Sequence, residues 1–203
     1  MAEPVAHLLR CHQQIRRFSA LLQLLAAEGG PRSPEARQAA RGCARYLRES
    51  LPLHAEDEEL SLSPRLATLR LGDTARAALA RMMEQHDALE AALPPLLTSL
   101  DAFAEDGPVP ALLLRERVVA VVPPLLTHIE AEEEVIFPVV DGLSDPVRRQ
   151  IVQEMIARRQ RRFLTAEGGR LSNLPGGSTP VRWASVEVSA RRPTRGGANG
   201  GLG

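Results

Sequence analysis

The sequence predicts an all-α protein: an up-down-up-down four-helix bundle followed by a basic C-terminal helix and a tail. Apolar residues recur at helical spacing over four long segments, and short connections containing Gly, Pro and Asp separate these segments. Hydrophobic residues make up 44% and charged residues 25% of the 203 residues, a composition typical of globular proteins. We therefore expect a bundle domain over residues 1–142, a basic helical extension over 143–167 and a disordered tail over 168–203.

The first two helices are indicated by their apolar spacing and their end signals. Apolar residues over 5–27 fit one helix, and the Gly-Gly-Pro stretch at 29–31 ends it. Ser33, followed by a proline, is a typical N-cap. A second helix is therefore predicted from Ser33 to about Leu62, with a bend at Pro52.

The third and fourth helices follow from similar signals. Asp73 is a candidate N-cap for the third helix, and the Asp-Gly-Pro sequence at 106–108 ends it. The fourth helix is predicted from about Pro110 to Val140, strained or broken at the proline pair 123–124. The connections are short, so neighbouring helices are expected to run in opposite directions.

The formal net charge is zero, but the two ends of the chain differ in charge. Residues 1–140 contain 20 acidic and 14 basic residues, whereas residues 141–203 contain 5 acidic and 11 basic residues. A fifth helix over Ser144–Leu164 is expected to carry its basic residues on its exposed side. These are Arg148, Arg149, Arg158, Arg159, Arg161 and Arg162. A solvated helix face is the simplest interpretation. The alternatives are docking to an acidic protein partner, to nucleic acid or to the acidic bundle itself, and the zero net charge makes nucleic acid a poor candidate.

Location is predicted from what the sequence contains and from what it lacks. Two cysteines, Cys11 and Cys43, are too few for a disulfide framework or a thiolate zinc site. The first residues do not resemble a secretory signal, and the longest apolar run, at 118–127, is too short to cross a bilayer. We therefore expect a soluble, cytoplasmic chain that does not bind membranes.

The most informative feature is an internal duplication. The segments HAEDEELSLSP, starting at His54, and HIEAEEEVIFP, starting at His128, share the pattern His-x-x-x-Glu-Glu-x-x-x-x-Pro. A further histidine precedes each copy by 42 residues, His12 in the first and His86 in the second. Four of the five histidines thus fall into two copies of one spacing, which predicts two related helical hairpins.

Helical geometry predicts that the polar residues of this repeat form a metal site. Residues four apart on a helix point in similar directions, so each repeat histidine and the glutamate four residues later can face one region of the bundle interior. Pairing of the two hairpins adds the two earlier histidines. The candidate metal ligands are His12, His54, Glu58, His86, His128 and Glu132.

The ligand set predicts two metal ions and favours particular metals. Imidazole with carboxylate suits iron, zinc or manganese. Two histidines, two bridging carboxylates and a solvent-derived bridge would give each ion five ligands and leave one position open, as in a reactive site. The order of histidine before glutamate, at a spacing of four, differs from the Glu-x-x-His of ferritin-like bundles. His-Glu-x-x-His does not occur, so metalloprotease chemistry is unsupported.

The repeat resembles the hemerythrin-like (HHE cation-binding) domain family. The resemblance rests on His12, His54-x-x-x-Glu58, His86 and His128-x-x-x-Glu132, and it covers about residues 4–140. It implies a four-helix bundle with an oxo- or hydroxo-bridged di-iron centre. Members of the family carry or sense oxygen, sense redox state or iron, handle nitric oxide or peroxide, or help repair iron–sulfur centres.

The chain differs from the oxygen-carrying members at one position. Those members resemble His-x-x-x-His on the third helix, but Met82 stands four residues before His86. The missing fifth histidine favours reaction with peroxide or nitric oxide over reversible oxygen storage. His7 lies about 140° around the helix from His12, so it is predicted to be a surface or helix-end residue. The neighbouring acids Glu56, Asp57, Glu59, Glu130, Glu133 and Glu134 are expected to be solvated, although some can orient ligand imidazoles.

Three functions remain open from the sequence. The first is a di-iron protein that binds, senses or removes oxygen, nitric oxide or peroxide, or that senses or handles iron. The second is a di-iron enzyme or an iron donor in iron–sulfur-centre repair. The third is an interaction module stabilised by its metal. In each of these, substitution of Glu58 or Glu132 is expected to lower bound metal, and substitution of Glu59 or Glu133 is not.

Overall fold

A computed structural model describes residues 3–27 and 33–170, with side chains up to Arg162. These residues form helices and short connections and contain no strand, which confirms the all-α prediction. None of their helices is both long and apolar enough to cross a membrane. The predicted disordered tail, apart from 168–170 at the end of the last helix, lies outside the described residues.

Helices α1 (Pro4–Ala27) and α2 (Pro34–Glu49) begin and end close to the predicted positions. Ser33 is the N-cap of α2, with extended backbone and with its hydroxyl accepting from the Ala36 amide at 3.1 Å. The long second helix ends at Glu49, and α3 (Leu51–Asp57) follows at once. The predicted bend at Pro52 is therefore a break at Ser50, two residues earlier, with Pro52 in the first turn of α3, where its missing amide hydrogen does no harm.

After α3 the chain forms one wider, π-helical turn and then a short α-helix. A π-helical segment (Glu58–Leu62) leads into α4 (Ser63–Leu66). Helix α5 (Asp73–Ala104) then begins with Gly72, and not the predicted Asp73, as its N-cap. Asp73 is instead the first residue of the helix, where its negative charge complements the helix dipole.

Helix α6 (Ala111–Ala131) bears on the prediction that the fourth helix is strained or broken at its proline pair. It runs through Pro123 and Pro124 without a break. Val121, Val122 and Leu125 around the proline pair are buried at 3% exposure or less. We infer that their packing outweighs the cost of the missing backbone hydrogen bonds. A π-helical segment (Glu132–Ile136) and a 3₁₀ helix (Phe137–Gly142) complete the predicted fourth helix.

The helices pack as a bundle around a polar layer. Helix α1 contacts α2 and α6, and α5 contacts the same two helices. The apolar core has two parts: one contains Ile15, Leu89 and Ile129, and the other contains Leu8 and Ile136. Because the repeat histidines and glutamates fall between these residues on α1, α5 and α6, they form a layer between two apolar clusters.

Helix α7 (Asp145–Arg170) packs against α1, α3 and the first π-helical segment. Ile151 and Met155 are fully buried in the second apolar cluster. Arg158 corrects the prediction that the arginines all lie on the exposed side, because it is 9% exposed and contacts Asp57. The apolar residues of α7 and the contact of Arg158 with Asp57 together hold this helix to the bundle.

Candidate metal centre

Both copies of the repeat place a glutamate at the start of a π-helical turn. The Ser63 amide donates to the carbonyl of Glu58, and the Phe137 amide donates to the carbonyl of Glu132. These bonds span five residues instead of the four of an α-helix. Single π-helical turns inside helices occur often at functional sites.

The proline of each repeat explains the wider turn. Pro64 has no amide hydrogen, so the carbonyl of Leu60 cannot receive the usual α-helical bond, and the proline ring crowds it. This carbonyl accepts instead from Arg65 Nη1 at 3.2 Å. Pro138 occupies the same position in the second copy. The repeat therefore encodes the local backbone as well as the polar side chains.

The first buried cluster joins His12, His54, Glu58 and Glu132. Nε2 of His12 lies 3.2 Å from Glu132 Oε2 and 4.0 Å from Glu58 Oε1. Nε2 of His54 lies 3.4 Å from Glu58 Oε1. Each of the four residues is at most 2% exposed. Four donor atoms that are typical of transition-metal sites thus converge inside the bundle.

The second buried cluster joins His86 and His128 to the same two glutamates. Nε2 of His86 lies 3.4 Å from Glu58 Oε2, and Nε2 of His128 lies 3.1 Å from Glu132 Oε1. Each glutamate therefore turns one oxygen toward each cluster. The structure brings together all six residues predicted as ligands.

Hydrogen bonds at the outer edge determine which imidazole nitrogens face the centre. Nδ1 of His12 donates to Glu133 Oε1 at 2.8 Å, and Nδ1 of His86 donates to Glu59 Oε1 at 2.7 Å. A carboxylate only accepts, so the ring proton lies on Nδ1 and the Nε2 lone pair points inward. Glu59 and Glu133 thus orient imidazoles, as predicted for some of the acids beside the ligands.

Further hydrogen bonds lie around the two clusters. Nδ1 of His128 donates to Gln85 Oε1 at 3.0 Å. Arg16 donates two hydrogen bonds to the carboxylate of Glu133, at 2.8 and 2.9 Å. Within the described part of the chain, Nδ1 of His54 has no hydrogen-bond partner. Gln85 was not predicted, since a glutamine directly before a histidine carries no signal in the sequence.

The inward-facing atoms fit a metal cation. His86 and His128 hold their Nε2 atoms 3.0 Å apart, and both lone pairs point inward because both protons lie on Nδ1. Two lone pairs at this distance repel each other unless a cation or a proton lies between them. Burial and the neighbouring His128 lower the pKa of His86, which disfavours the proton. Among the described residues, the inward atoms of His12, His54, Glu58 and Glu132 also have no hydrogen-bond partner, although they are buried.

The two carboxylates also require a positive charge between them. Burial, and next the nearby Glu132, raise the pKa of Glu58 well above its usual value. Burial acts to raise the pKa of Glu132 as well, but contacts with His12 and His128 outweigh it and lower that pKa. Two carboxylates this close cannot both be charged in an apolar interior without a cation. Metal ions would let both ionise.

One acidic residue predicted to be solvated is buried. Asp57, directly before Glu58, has no exposed surface, and Arg158 donates to its Oδ1. Arg159 Nη1 donates to Asp57 Oδ2 at 2.5 Å, and Arg158 Nη2 donates to the Ser61 hydroxyl at 3.1 Å. Two arginines of α7 therefore fix the segment that carries His54 and Glu58. The second copy has alanine in place of this aspartate.

A family model for the hemerythrin HHE cation binding domain matches residues 3–140, and a second match covers 77–161. The chain belongs to this family. The first match contains all six residues of the two clusters, and the second contains the later copy of the repeat and much of α7. A search of curated proteins finds no match to the chain. Family membership and the buried clusters together support a metal-binding protein of the hemerythrin type.

Two cavities reach the hemerythrin centre. One, of about 220 Å³, is lined by His54, His86 and His128 together with leucines of several helices. The other, of about 230 Å³, is lined by Met82, His128 and Glu132 among others. Both are large enough for a diatomic molecule or a peroxide. The walls of the first are mainly apolar, which favours small uncharged ligands.

The other two residues compared with the hemerythrin pattern, Met82 and His7, have different surroundings. Met82 is 2% exposed and lines a cavity beside the second cluster, so a methionine stands where a fifth histidine would reach the centre. His7 is outside both clusters, with Nε2 3.7 Å from Asp57 Oδ2. It is half-buried rather than a plain surface residue.

Proposed function

We propose that this hemerythrin-family protein holds two iron ions and binds, senses or removes a small ligand: oxygen, nitric oxide or peroxide. Sensing or handling of iron itself is the other form of the same proposal. One observation carries it: the two clusters share Glu58 and Glu132, and each glutamate directs one oxygen to each cluster. This arrangement suits two ions bridged by carboxylates.

The ligand assignment follows from the clusters. His12 and His54 would hold one ion, and His86 and His128 would hold the other, with Glu58 in contact with both. Glu132 would be the second bridge. Imidazole and carboxylate donors suit iron, and iron supplies one-electron redox chemistry together with affinity for small ligands.

The chain's own residues would control access and orientation. The apolar clusters on either side of the polar layer exclude bulk water from it. Glu59, Glu133 and Gln85 fix three imidazoles with Nε2 inward. Met82 offers no strong donor at the place where a histidine would fill a coordination position. This supports reaction with peroxide or nitric oxide more than reversible oxygen storage.

The finer organisation belongs to the same proposal. We infer that the four long helical segments run up-down-up-down over a domain of residues 1–142 and that the extension 143–167 follows it. A cytoplasmic location fits a protein that meets small diffusing ligands. A protein partner at the C-terminal region is retained as a proposal, although Arg158 and Arg159 are occupied by Asp57.

Metal content and absorption of the purified full chain test the proposal. We expect about two irons per chain and near-ultraviolet charge-transfer absorption that reduction abolishes and that oxygen, nitric oxide or peroxide changes. His54→Ala with His128→Ala should lose this iron. His7→Ala, which removes the one histidine outside the clusters, is the matched control and should keep it. One zinc ion, or a stable fold that binds no metal, would overturn the proposal.

The same preparation separates the alternatives. Sustained turnover with an electron donor, or transfer of iron to a damaged cluster, would establish the enzyme or iron donor. An oxidant that leaves the spectrum unchanged, in a bundle that unfolds when its metal is removed, would establish the metal-stabilised module.

A further inference from the structure

We propose that the cavity between α1, α2 and α7 binds a small organic phosphate, a phosphate monoester with a planar ring and about the size of a mononucleotide. The cavity has a volume of about 520 Å³, within the roughly 300–1,000 Å³ typical of small-molecule sites. None of the six residues of the metal clusters lines it. The proposal therefore does not depend on the metal centre.

The charge of the cavity wall points to an anion. Arg10 on α1, Arg45 on α2 and Arg159 on α7 all line the cavity, and Glu49 is the one acidic residue among the residues that line it. Arginines from three helices therefore converge on one cavity, and Asp57, which does not line it, pairs with one of them, Arg159. The planar fork of arginine suits the oxygens of phosphate, so the lining favours a phosphate group.

One guanidinium nitrogen of Arg159, Nη1, is hydrogen-bonded within the protein, and the other, Nη2, lies beside the cavity. Its Nη1 donates to Asp57 Oδ2 at 2.5 Å and to the Met155 carbonyl at 3.0 Å. Its Nη2 meets Cys11 Sγ at 3.7 Å, and a thiol is a weak acceptor. Since Cys11 also lines the cavity, Nη2 is placed to donate to an anion bound there.

His7 is a further residue that favours an anion in this cavity. Its Nε2 is buried and has no hydrogen-bond partner in the described structure, and the residue lines the cavity. Burial first, and then the charges of Arg159 and Arg10, lower the pKa of His7 to about 4. These two arginines place positive charge near the ring, although Asp57 Oδ2 lies 3.7 Å from Nε2. A bound phosphate would give Nε2 a hydrogen-bond partner and offset the charge of the arginines.

The aromatic part of the cavity wall suits a flat ring. Phe18 and Tyr46 line the cavity and stack on each other, with ring centroids 4.1 Å apart and planes at 14°. Gly42, in the interior of α2, also lines it, and a Cβ built at Gly42 would meet nothing within 4 Å. A glycine inside a helix costs about 1 kcal/mol relative to alanine. Because Gly42 has no side chain, the cavity wall beside the aromatic pair stays open.

Isothermal titration of the metal-loaded full chain with three probes tests the proposal. The probes are adenosine monophosphate, inorganic phosphate and adenosine. We expect the monophosphate to bind at least tenfold more tightly than inorganic phosphate, and adenosine to show no saturable binding. Equal affinity for the monophosphate and inorganic phosphate would overturn the part of the proposal that assigns the ring. No saturable binding of any probe would overturn the whole proposal.

Substitutions then locate the site. Arg10→Gln and Arg45→Gln should each weaken binding of the monophosphate by about tenfold, because each removes a charged hydrogen bond. Arg115→Gln, at an exposed arginine of α6 outside the cavity, is the matched control and should leave affinity unchanged. Gly42→Leu should fill the cavity and abolish binding while it preserves helix content and bound metal. Unchanged affinity in a folded Gly42→Leu variant would contradict the assignment.

Discussion

Glu59 Oε1 accepts a hydrogen bond from His86 Nδ1 at 2.7 Å, although the two residues belong to different copies of the repeat. The reverse exchange also occurs, because Glu133 of the second copy accepts from His12 of the first at 2.8 Å. Each hairpin thus orients an imidazole of the other. The two copies therefore form one centre and not two separate sites.

These exchanged hydrogen bonds predict a specific effect of Glu59→Ala. The variant should still bind the full number of metal ions at saturation, because Glu59 is not in either cluster. Its metal affinity should fall by about 10- to 100-fold, the usual cost of losing the partner that orients a ligand imidazole. Competition with a chelator measures this affinity.

Two further variants serve as controls for the measurement of metal affinity. Glu58→Ala should lose bound metal even at saturation, since both clusters use its carboxylate. Glu134→Ala, at the exposed acid after Glu133, should change neither the number of ions nor the affinity. Equal losses in all three variants would mean that the assignment of inner and outer glutamates is wrong.

The sequence predicts the convergence of the six cluster residues because helical geometry and a repeated spacing suffice for it. The spacing does not predict contacts made by tertiary packing. Gln85 meets His128, and Arg158 meets Asp57, across distances of 43 and 101 residues along the chain. Local rules also fail where packing overrides them, as at Pro123 and Pro124, which lie inside a continuous α6.

Removal of metal should destabilise the fold. The inward atoms of His12, His54, Glu58 and Glu132 lack hydrogen-bond partners among the described residues, so a bound cation would stabilise the native state and not the unfolded chain. At a free metal concentration about 1,000 times the dissociation constant, the stabilisation is about 4 kcal/mol. This corresponds to roughly 8–16 °C in melting temperature for a chain of this size. Thermal unfolding with and without a chelator checks this, and an unchanged melting temperature would contradict it.

The arginines of α7 should contribute to stability through Asp57. Arg158→Ala should destabilise the protein by about 1–3 kcal/mol, and the Arg158→Ala, Arg159→Ala double variant by about 3–5 kcal/mol, because a buried carboxylate is then left unpaired. Arg149→Ala, at an exposed arginine of the same helix, should stay within about 0.5 kcal/mol. Urea unfolding measures all three. A double variant as stable as Arg149→Ala would show that the buried pairs contribute nothing.

His7 should make stability depend on pH. The pKa of His7 is lowered to about 4 in the folded protein, chiefly by burial, against 6.5 as the ordinary value. The unfolded chain therefore binds this proton first, and the contribution of His7 to stability is complete above pH 6.5 and is lost as the pH falls toward 4. After allowance for solvent screening, the loss is about 1–2 kcal/mol.

The His7→Gln variant isolates this contribution. Urea unfolding of both proteins at pH 7 and pH 5 cancels the titration of the histidines that they share. The variant should gain stability relative to the parent protein between pH 7 and pH 5. A difference that stays constant between the two values would show that His7 titrates normally.

Met82→His tests whether an open coordination position determines reactivity. Met82 is 2% exposed and lines the 230 Å³ cavity together with His128 and Glu132, so a histidine of similar size has room to reach the second cluster. If this imidazole fills the open position, the absorption of the loaded protein should change and its reaction with peroxide should slow. Met83→His places the same side chain one residue later, at a position that is 39% exposed, and should change neither property. Stopped-flow absorption of the reduced proteins measures both effects. Equal peroxide rates in the two variants and the parent would mean that the reactive position lies at the first cluster, beside His12 and His54.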